Sequence, residues 1–325
     1  MLKQFEPPAT ALSSQLWDKE ALWRRPNWRL AAGDAVHADL DLLLAWAQKQ
    51  PDPIASYDCE QVDLPAFDAL ALAAREELEH GSGVVWVQGL PVEARGAAGC
   101  TLAYLAFGMR LGPTIDAYGR LYEVKDRGVS HKGTAIPVSQ TRAETSFHTD
   151  STARDRIPEH VGLLCLQPAI RGGDSLVTSA VRAHEQLRAE RPDALRALYR
   201  EFVRDIVTPG TPRSLDALRE NRFPVFAHDA AGRGLTFRYM RYWIETGHAN
   251  AGSPLDARDV AALDALDAIL ADETNVVQFR LAPGDMLWVN NRKIAHNRTE
   301  YDDDPERPRC MMRMWIGARR DAATR

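Results

Sequence analysis

Apolar positions in the first 80 residues fall at helical spacing. Leu40, Leu42, Leu43, Leu44 and Trp46 crowd one segment, and Ala66 to Leu78 is rich in helix formers with leucines set for a buried stripe. Gly81-Ser82-Gly83 ends that run. Val84 to Val87 then reads as a buried strand closed by Gly89-Leu90-Pro91, and a helix is expected over Ala97 to Met109. From about residue 118 the pattern changes to short strands between turn residues. Leu121 to Val124, His160 to Leu166 and, after Gly172-Gly173, Ser175 to Ser179 are β-prone. A charged amphipathic helix follows over 181–203, with a break expected at Pro192. Val203 to Thr208, Val225-Phe226 and Leu235 to Ile244 read as further strands, and Ala257 to Leu270 as a helix. Val276 to Leu281, Met286 to Val289 and Cys310 to Ile316 close the chain, the first two joined by Ala282-Pro283-Gly284-Asp285.

Many strands with a few inserted helices predict a mainly β fold with flanking helices, its core closed or sandwiched. Helices and strands do not alternate regularly, which disfavours a doubly wound parallel sheet. No G-x-G-x-x-G or Walker-type phosphate loop is present.

Composition narrows the class. The chain has 325 residues, 45% hydrophobic and 26% charged, as in a folded enzyme-sized protein. Its net charge of −5 comes from interleaved acids and bases, so no nucleic-acid footprint stands out. No apolar run approaches the roughly 18 residues of a membrane span. The opening Met-Leu-Lys-Gln-Phe-Glu-Pro-Pro lacks the apolar core of a signal peptide. Cys59, Cys100, Cys165 and Cys310 are scattered, as expected of reduced thiols in a cytoplasmic protein. The charged helix at 181–203 reads as a solvated face, with a subunit contact in a homo-oligomer as the less favoured alternative.

Chemistry concentrates in two short stretches. In Phe147-His148-Thr149-Asp150, residues i and i+2 of an extended segment point the same way, so His148 and Asp150 can bind one metal together. His296 lies 146 residues beyond Asp150, within Asn291-Arg292-Lys293-Ile294-Ala295-His296. Two histidines and a carboxylate on one face of a metal are the ligand set of mononuclear iron oxygenases. They also suit Zn(II) in a hydrolase, but His184-Glu185 lacks the second histidine of the metalloprotease helix motif. Gly173-Asp174-Ser175-Leu176 spells the nucleophile motif of one esterase class. The D-x-x-H that should follow it, Asp34 to His37, lies upstream instead. Arg313, amid apolar neighbours on a late strand, would be costly to bury without a carboxylate to grip.

Taken in order, Phe147-His148-Thr149-Asp150, Gly172-Gly173-Asp174-Ser175, Asn291-Arg292-x-x-x-His296-x-Arg298-Thr299 and Arg309-x-x-x-Arg313-x-Trp315 resemble the taurine dioxygenase (TauD/TfdA) family of Fe(II)/2-oxoglutarate-dependent oxygenases. The likeness spans about residues 80 to 318. It implies a double-stranded β-helix, a jelly roll of the clavaminate synthase-like kind, within a single oxygenase domain over 1–325. Residues 1–80 would form a largely helical flank and 81–318 the core with inserted helices. It further implies that His148, Asp150 and His296 hold the iron. Arg313 would pair with the distal carboxylate of 2-oxoglutarate, and Ser175 would touch the same group. Arg309 and Arg298 match family positions of variable duty, and Asn291 would order the strand presenting His296.

The implied reaction consumes 2-oxoglutarate and O2, releases succinate and CO2, and hydroxylates an unactivated C–H bond. The carboxylate of Asp150 favours hydroxylation over halogenation, while desaturation, epoxidation and cyclisation stay open. For the substrate, a small polar metabolite such as an amino acid or related carboxylate, the candidates are Tyr118, Arg238, Arg241 and Arg298.

Overall fold

The computed structural model describes residues 13–50, 53–128, 140–141, 146–228 and 234–319. The N-terminal octapeptide considered above lies outside them. Two sheets face each other. The larger contains β1 (Arg29–Ala31), β2 (Val84–Gln88), β3 (Tyr122–Val124), β4 (His160–Gln167), β7 (Met286–Asn290) and β9 (Cys310–Ile316), in the spatial order β1-β2-β7-β4-β9-β3. The smaller contains β5 (Ser175–Ser179), β6 (Val277–Phe279) and β8 (Ile294–Arg298), in the order β6-β5-β8. All pairings are antiparallel except β1 with β2. This is the jelly-roll core, mainly β with helices on its flanks.

The period of two along each strand decides what each layer buries. On β7, Met286 and Trp288 face the N-terminal helices, while Leu287 and Val289 face the second sheet. On β9, Met314 and Ile316 face the helices, while Met311 and Trp315 face inward. Arg313 shares the inward parity, and this alternation carries a cation into the interior. Helices α1 (Asp34–Ala47), α2 (Pro65–Glu79) and α3 (Val92–Leu111) cover the outer face of the larger sheet. Pro65 occupies the first turn of α2, where its missing N–H costs nothing, and the Asp39 carboxylate accepts from the Phe67 amide at 2.9 Å. Contact between α3 and the sheet depends on Gly108 and Gly162. A Cβ at Gly162 would lie 2.5 Å from the Trp288 ring, and one at Gly108 would lie 2.2 Å from the Met314 sulfur.

Between β5 and β6 the chain departs into an insert that covers the outer face of the smaller sheet. It contains α4 (Ala180–Glu190), α5 (Pro192–Leu198), α6 (Arg241–Asn250) and α7 (Ala257–Leu270). Leu176 and Ala295 of the sheet join its apolar cluster. Side-chain caps start two of these helices: Ser179 accepts from the Arg182 amide, and Asp256 from the Asp259 amide.

Several expected elements differ. The helix expected over 181–203 divides at Pro192 and ends at Leu198, with residues 201–203 already extended. The strand expected over Leu235 to Ile244 stops at Phe237, and α6 begins at Arg241. Trp243, Ile244 and Gly247 then line the buried side at helical spacing. Val203 to Thr208 is extended only to Val203. The first 80 residues are not all helical, because β1 adds an edge to the larger sheet.

Candidate metal centre

His148 and His296 come together through backbone pairing. The His148 amide donates to the His296 carbonyl at 3.0 Å, and the His296 amide donates back at 2.9 Å. The His148-Thr149-Asp150 segment is thus joined to β8 by an isolated bridge. Thr149 faces away and fastens it: its amide donates to the Tyr239 carbonyl at 2.7 Å, and its hydroxyl accepts from the Tyr239 amide at 2.9 Å. Asn291 fastens the other end. Its side chain accepts from the Asp150 amide at 2.7 Å and donates to the Asp150 carbonyl at 3.0 Å. Ser146 and Ser151, flanking the segment, both have positive φ (58° and 75°), a sparsely populated conformation for serine that brackets the turn carrying the ligands.

Ligand atoms of His148, Asp150 and His296 lie within 4.8 Å of one another. Asp150 Oδ1 is 3.6 Å from each Nε2. His148 Nδ1 lies 2.9 Å from the Ser146 carbonyl, which favours the tautomer that leaves Nε2 free to ligate. Burial, followed by the neighbouring His296, pushes the His148 imidazole down to about 4, so it is a neutral donor at physiological pH. Burial alone would raise the Asp150 carboxyl. The Arg313 guanidinium and the two imidazoles outweigh it and hold Asp150 well below the usual carboxylate range. Two imidazoles and one ionised carboxylate, converging from one side, are a donor set suited to a divalent iron with open positions.

The triad lines a cavity of about 130 Å3. Tyr118, Ser175, Arg298, Arg309 and Arg313 also line it. Arg238 and Arg241 do not. Arg238 stacks over the Phe223 ring at 3.6 Å and donates to the carbonyls of Ala153 and Arg154 at 2.6 and 3.4 Å. Arg241 turns to Glu245, Asp264 and Asp267 at 2.6, 2.7 and 2.9 Å. Both depart from the expected substrate role for one reason. The alternation that suggested a strand breaks after Phe237, so neither side chain follows the face assumed for it.

Among the described residues, the carboxylate nearest Arg313 is that of Asp150. Arg313 Nη1 lies 3.2 Å from Asp150 Oδ2, and the guanidinium carbon is 5.2, 4.9 and 5.3 Å from the ring centroids of Tyr118, Tyr122 and Trp315. Arg309 is only 4% exposed, lies over the Tyr301 ring, and has no hydrogen-bond partner for Nε or Nη1 among the described residues. Sequence reasoning missed Thr152, Thr208, Met240 and Trp243, which also line the cavity. It also missed Trp315 as a polar group. The available signal was its spacing of two from Arg313, which puts both on one face of a strand.

Residues 49–315 match the family model described as Taurine catabolism dioxygenase TauD, TfdA family. The chain is 26% identical over 325 residues to FR-33289 synthase of Streptomyces rubellomurinus (strain ATCC 31215), covering 97% of this chain and 92% of that one. It is 30% identical over 264 residues to the uridine-5'-phosphate dioxygenase of an Amycolatopsis species, covering 78% and 90%. The fold is similar to that of asparagine oxygenase solved with Fe(II), 2S,3S-3-hydroxyasparagine and succinate, with a TM-score of 0.60 at 20% identity over 89% of this chain and 93% of that one.

Proposed function

The chain belongs to the taurine catabolism dioxygenase TauD, TfdA family, and from that membership we propose that it hydroxylates an unactivated C–H bond of a small anionic metabolite. An amino acid or a related carboxylate suits the cavity. The enzyme is a 2-oxoglutarate-dependent non-haem iron dioxygenase, releasing succinate and CO2. The observation that carries this reading is the convergence of His148, Asp150 and His296 at the cavity wall.

Charge supports the substrate class. Among the described lining residues Asp150 is the one acid, against Arg298, Arg309 and Arg313. An anion is attracted to such a site and a cation is repelled. The relatives uridine-5'-phosphate dioxygenase and asparagine oxygenase are named for molecules that carry a phosphate or a carboxylate.

When bound by His148, Asp150 and His296, iron supplies the centre at which 2-oxoglutarate and O2 are activated. The chain's residues do the rest by positioning. We place the distal carboxylate of 2-oxoglutarate at Arg309, aided by the Ser175 hydroxyl, because Arg309 is buried with donors unmet among the described residues, whereas Arg313 is already paired with Asp150. Tyr118, Met240 and Trp243 wall the remaining space, holding the substrate and excluding water.

Anaerobic addition of Fe(II) and 2-oxoglutarate tests the reading. Wild type should develop the weak visible charge-transfer band of the chelate, and His148→Ala should not. No band in wild type, or an unchanged band in His148→Ala, would refute the site. An oxygen-dependent rise in succinate during a screen of small carboxylates then finds the substrate and separates the enzyme from a zinc hydrolase.

A further inference from the structure

We infer that Trp315 is a positioning residue for the metal: its indole N–H, with Arg313, pins one oxygen of Asp150 and leaves the other for the ion. Trp315 Nε1 donates to Asp150 Oδ2 at 2.6 Å, and Arg313 Nη1 lies 3.2 Å from the same oxygen. Oδ1, by contrast, is the atom equidistant from the two histidine Nε2 atoms. One carboxylate is therefore divided between two duties. Indole nitrogen is a donor only, so at this spot it can serve an anion and cannot itself ligate. A charge-assisted bond to an ionised, buried carboxylate is among the stronger ones available.

Both donors are rigidly presented. Arg313 and Trp315 stand two residues apart on β9, on the inward face, and Trp315 is 5% exposed. Tyr118 packs edge-on against Trp315, with centroids 5.1 Å apart, and the guanidinium sits among the three aromatic rings. The carboxylate cannot rotate about its Cβ–Cγ bond to offer both oxygens to a metal without breaking the indole bond. Asp150 is thereby set to offer one oxygen, Oδ1, to a metal that the triad would hold. Partners of metal ligands commonly alter affinity by about 10–100-fold when removed.

This inference rests on the metal reading above. Its test is anaerobic metal binding by Trp315→Phe, which keeps an aromatic ring against Tyr118 but lacks the N–H. A second variant carries benzothienylalanine at position 315, with the indole shape and sulfur for nitrogen, and it decides the matter should Trp315→Phe fail to fold. The dissociation constants for Fe(II) and Mn(II) should rise at least about 10-fold. The Co(II) ligand-field spectrum should change as Asp150 gains freedom to bind through both oxygens, a signature that looser packing alone would not produce. Unchanged affinity and spectrum in the isosteric variant would overturn the inference, including the case where Trp315→Phe alone is impaired. If wild type binds no metal, the metal reading falls along with this one. If wild type binds and the isostere matches it, only the role of Trp315 falls.

Discussion

Arg309 and Arg313 lie four residues apart on one stretch of chain and line one cavity, yet their surroundings assign them different work. Arg313 neutralises Asp150, whereas Arg309 is buried with two nitrogens unmet among the described residues. An unmet, desolvated guanidinium is expensive and makes sense where an anionic ligand completes it. Arg309→Gln is therefore expected to raise KM for 2-oxoglutarate on the order of 100-fold, about 2.7 kcal/mol, with metal affinity nearly unchanged. Arg313→Gln should do the reverse, weakening metal binding more than it raises that KM. Steady-state kinetics and anaerobic metal titration on the two variants check the division. At this scale the sequence was informative about identity and less so about duty. His148, Asp150, His296 and the two arginines are legible as a set. Which arginine faces which carboxylate depends on a bond across the barrel from Trp315, and a linear motif does not display it.

Elements show the same contrast. β5, β9 and α7 lie where the apolar pattern puts them, because each is flanked by turn residues or a capping acid that leaves no competing structure. The stretch Thr236 to Trp243 failed because alternation of aromatic and basic residues suits a strand and the start of a helix equally. Tertiary bonds decided it: Arg238 turns to the carbonyls of Ala153 and Arg154, and the Tyr239 hydroxyl donates to Asp267 at 2.6 Å. The turn between β7 and β8 carries the heaviest structural demand. Asn291 is 1% exposed, and besides its two bonds to Asp150 it donates to the Pro158 carbonyl at 3.3 Å. Asn291→Ala leaves those backbone groups unmet, so a loss of about 2–3 kcal/mol is expected. Urea denaturation should show it. The same variant should lose metal affinity, since the segment bearing His148 and Asp150 is no longer tied to the turn that precedes His296.

Across the whole molecule, the two-layer core with helices outside both sheets follows from strand parity, and its family architecture was legible from four spaced motifs. The insert's course was not, because its short strands pair locally and leave weak periodic signals. Acid sensitivity also belongs to this scale. His160, at the start of β4, is 2% exposed, and neither ring nitrogen has a partner among the described residues. Burial, then Arg292, Arg75 and Lys293, push it down to about 4. Between that value and the ordinary 6.5, the unfolded chain takes up a proton that the folded one refuses. Stability therefore falls as pH drops through this window, and the loss levels off below about 4. In a chelator, wild type should lose about 2 kcal/mol more than His160→Phe between pH 7 and pH 5, read from denaturant midpoints.

The cavity wall itself has two owners. The iron ligands, Arg309, Arg313 and Ser175 belong to the jelly roll or its immediate margins, whereas Thr208, Met240 and Trp243 come from the excursion between β5 and β6. Selectivity can therefore drift by rewriting that excursion while the oxidising machinery stays fixed, and a transplant of residues 180–276 from a relative should carry substrate preference with it.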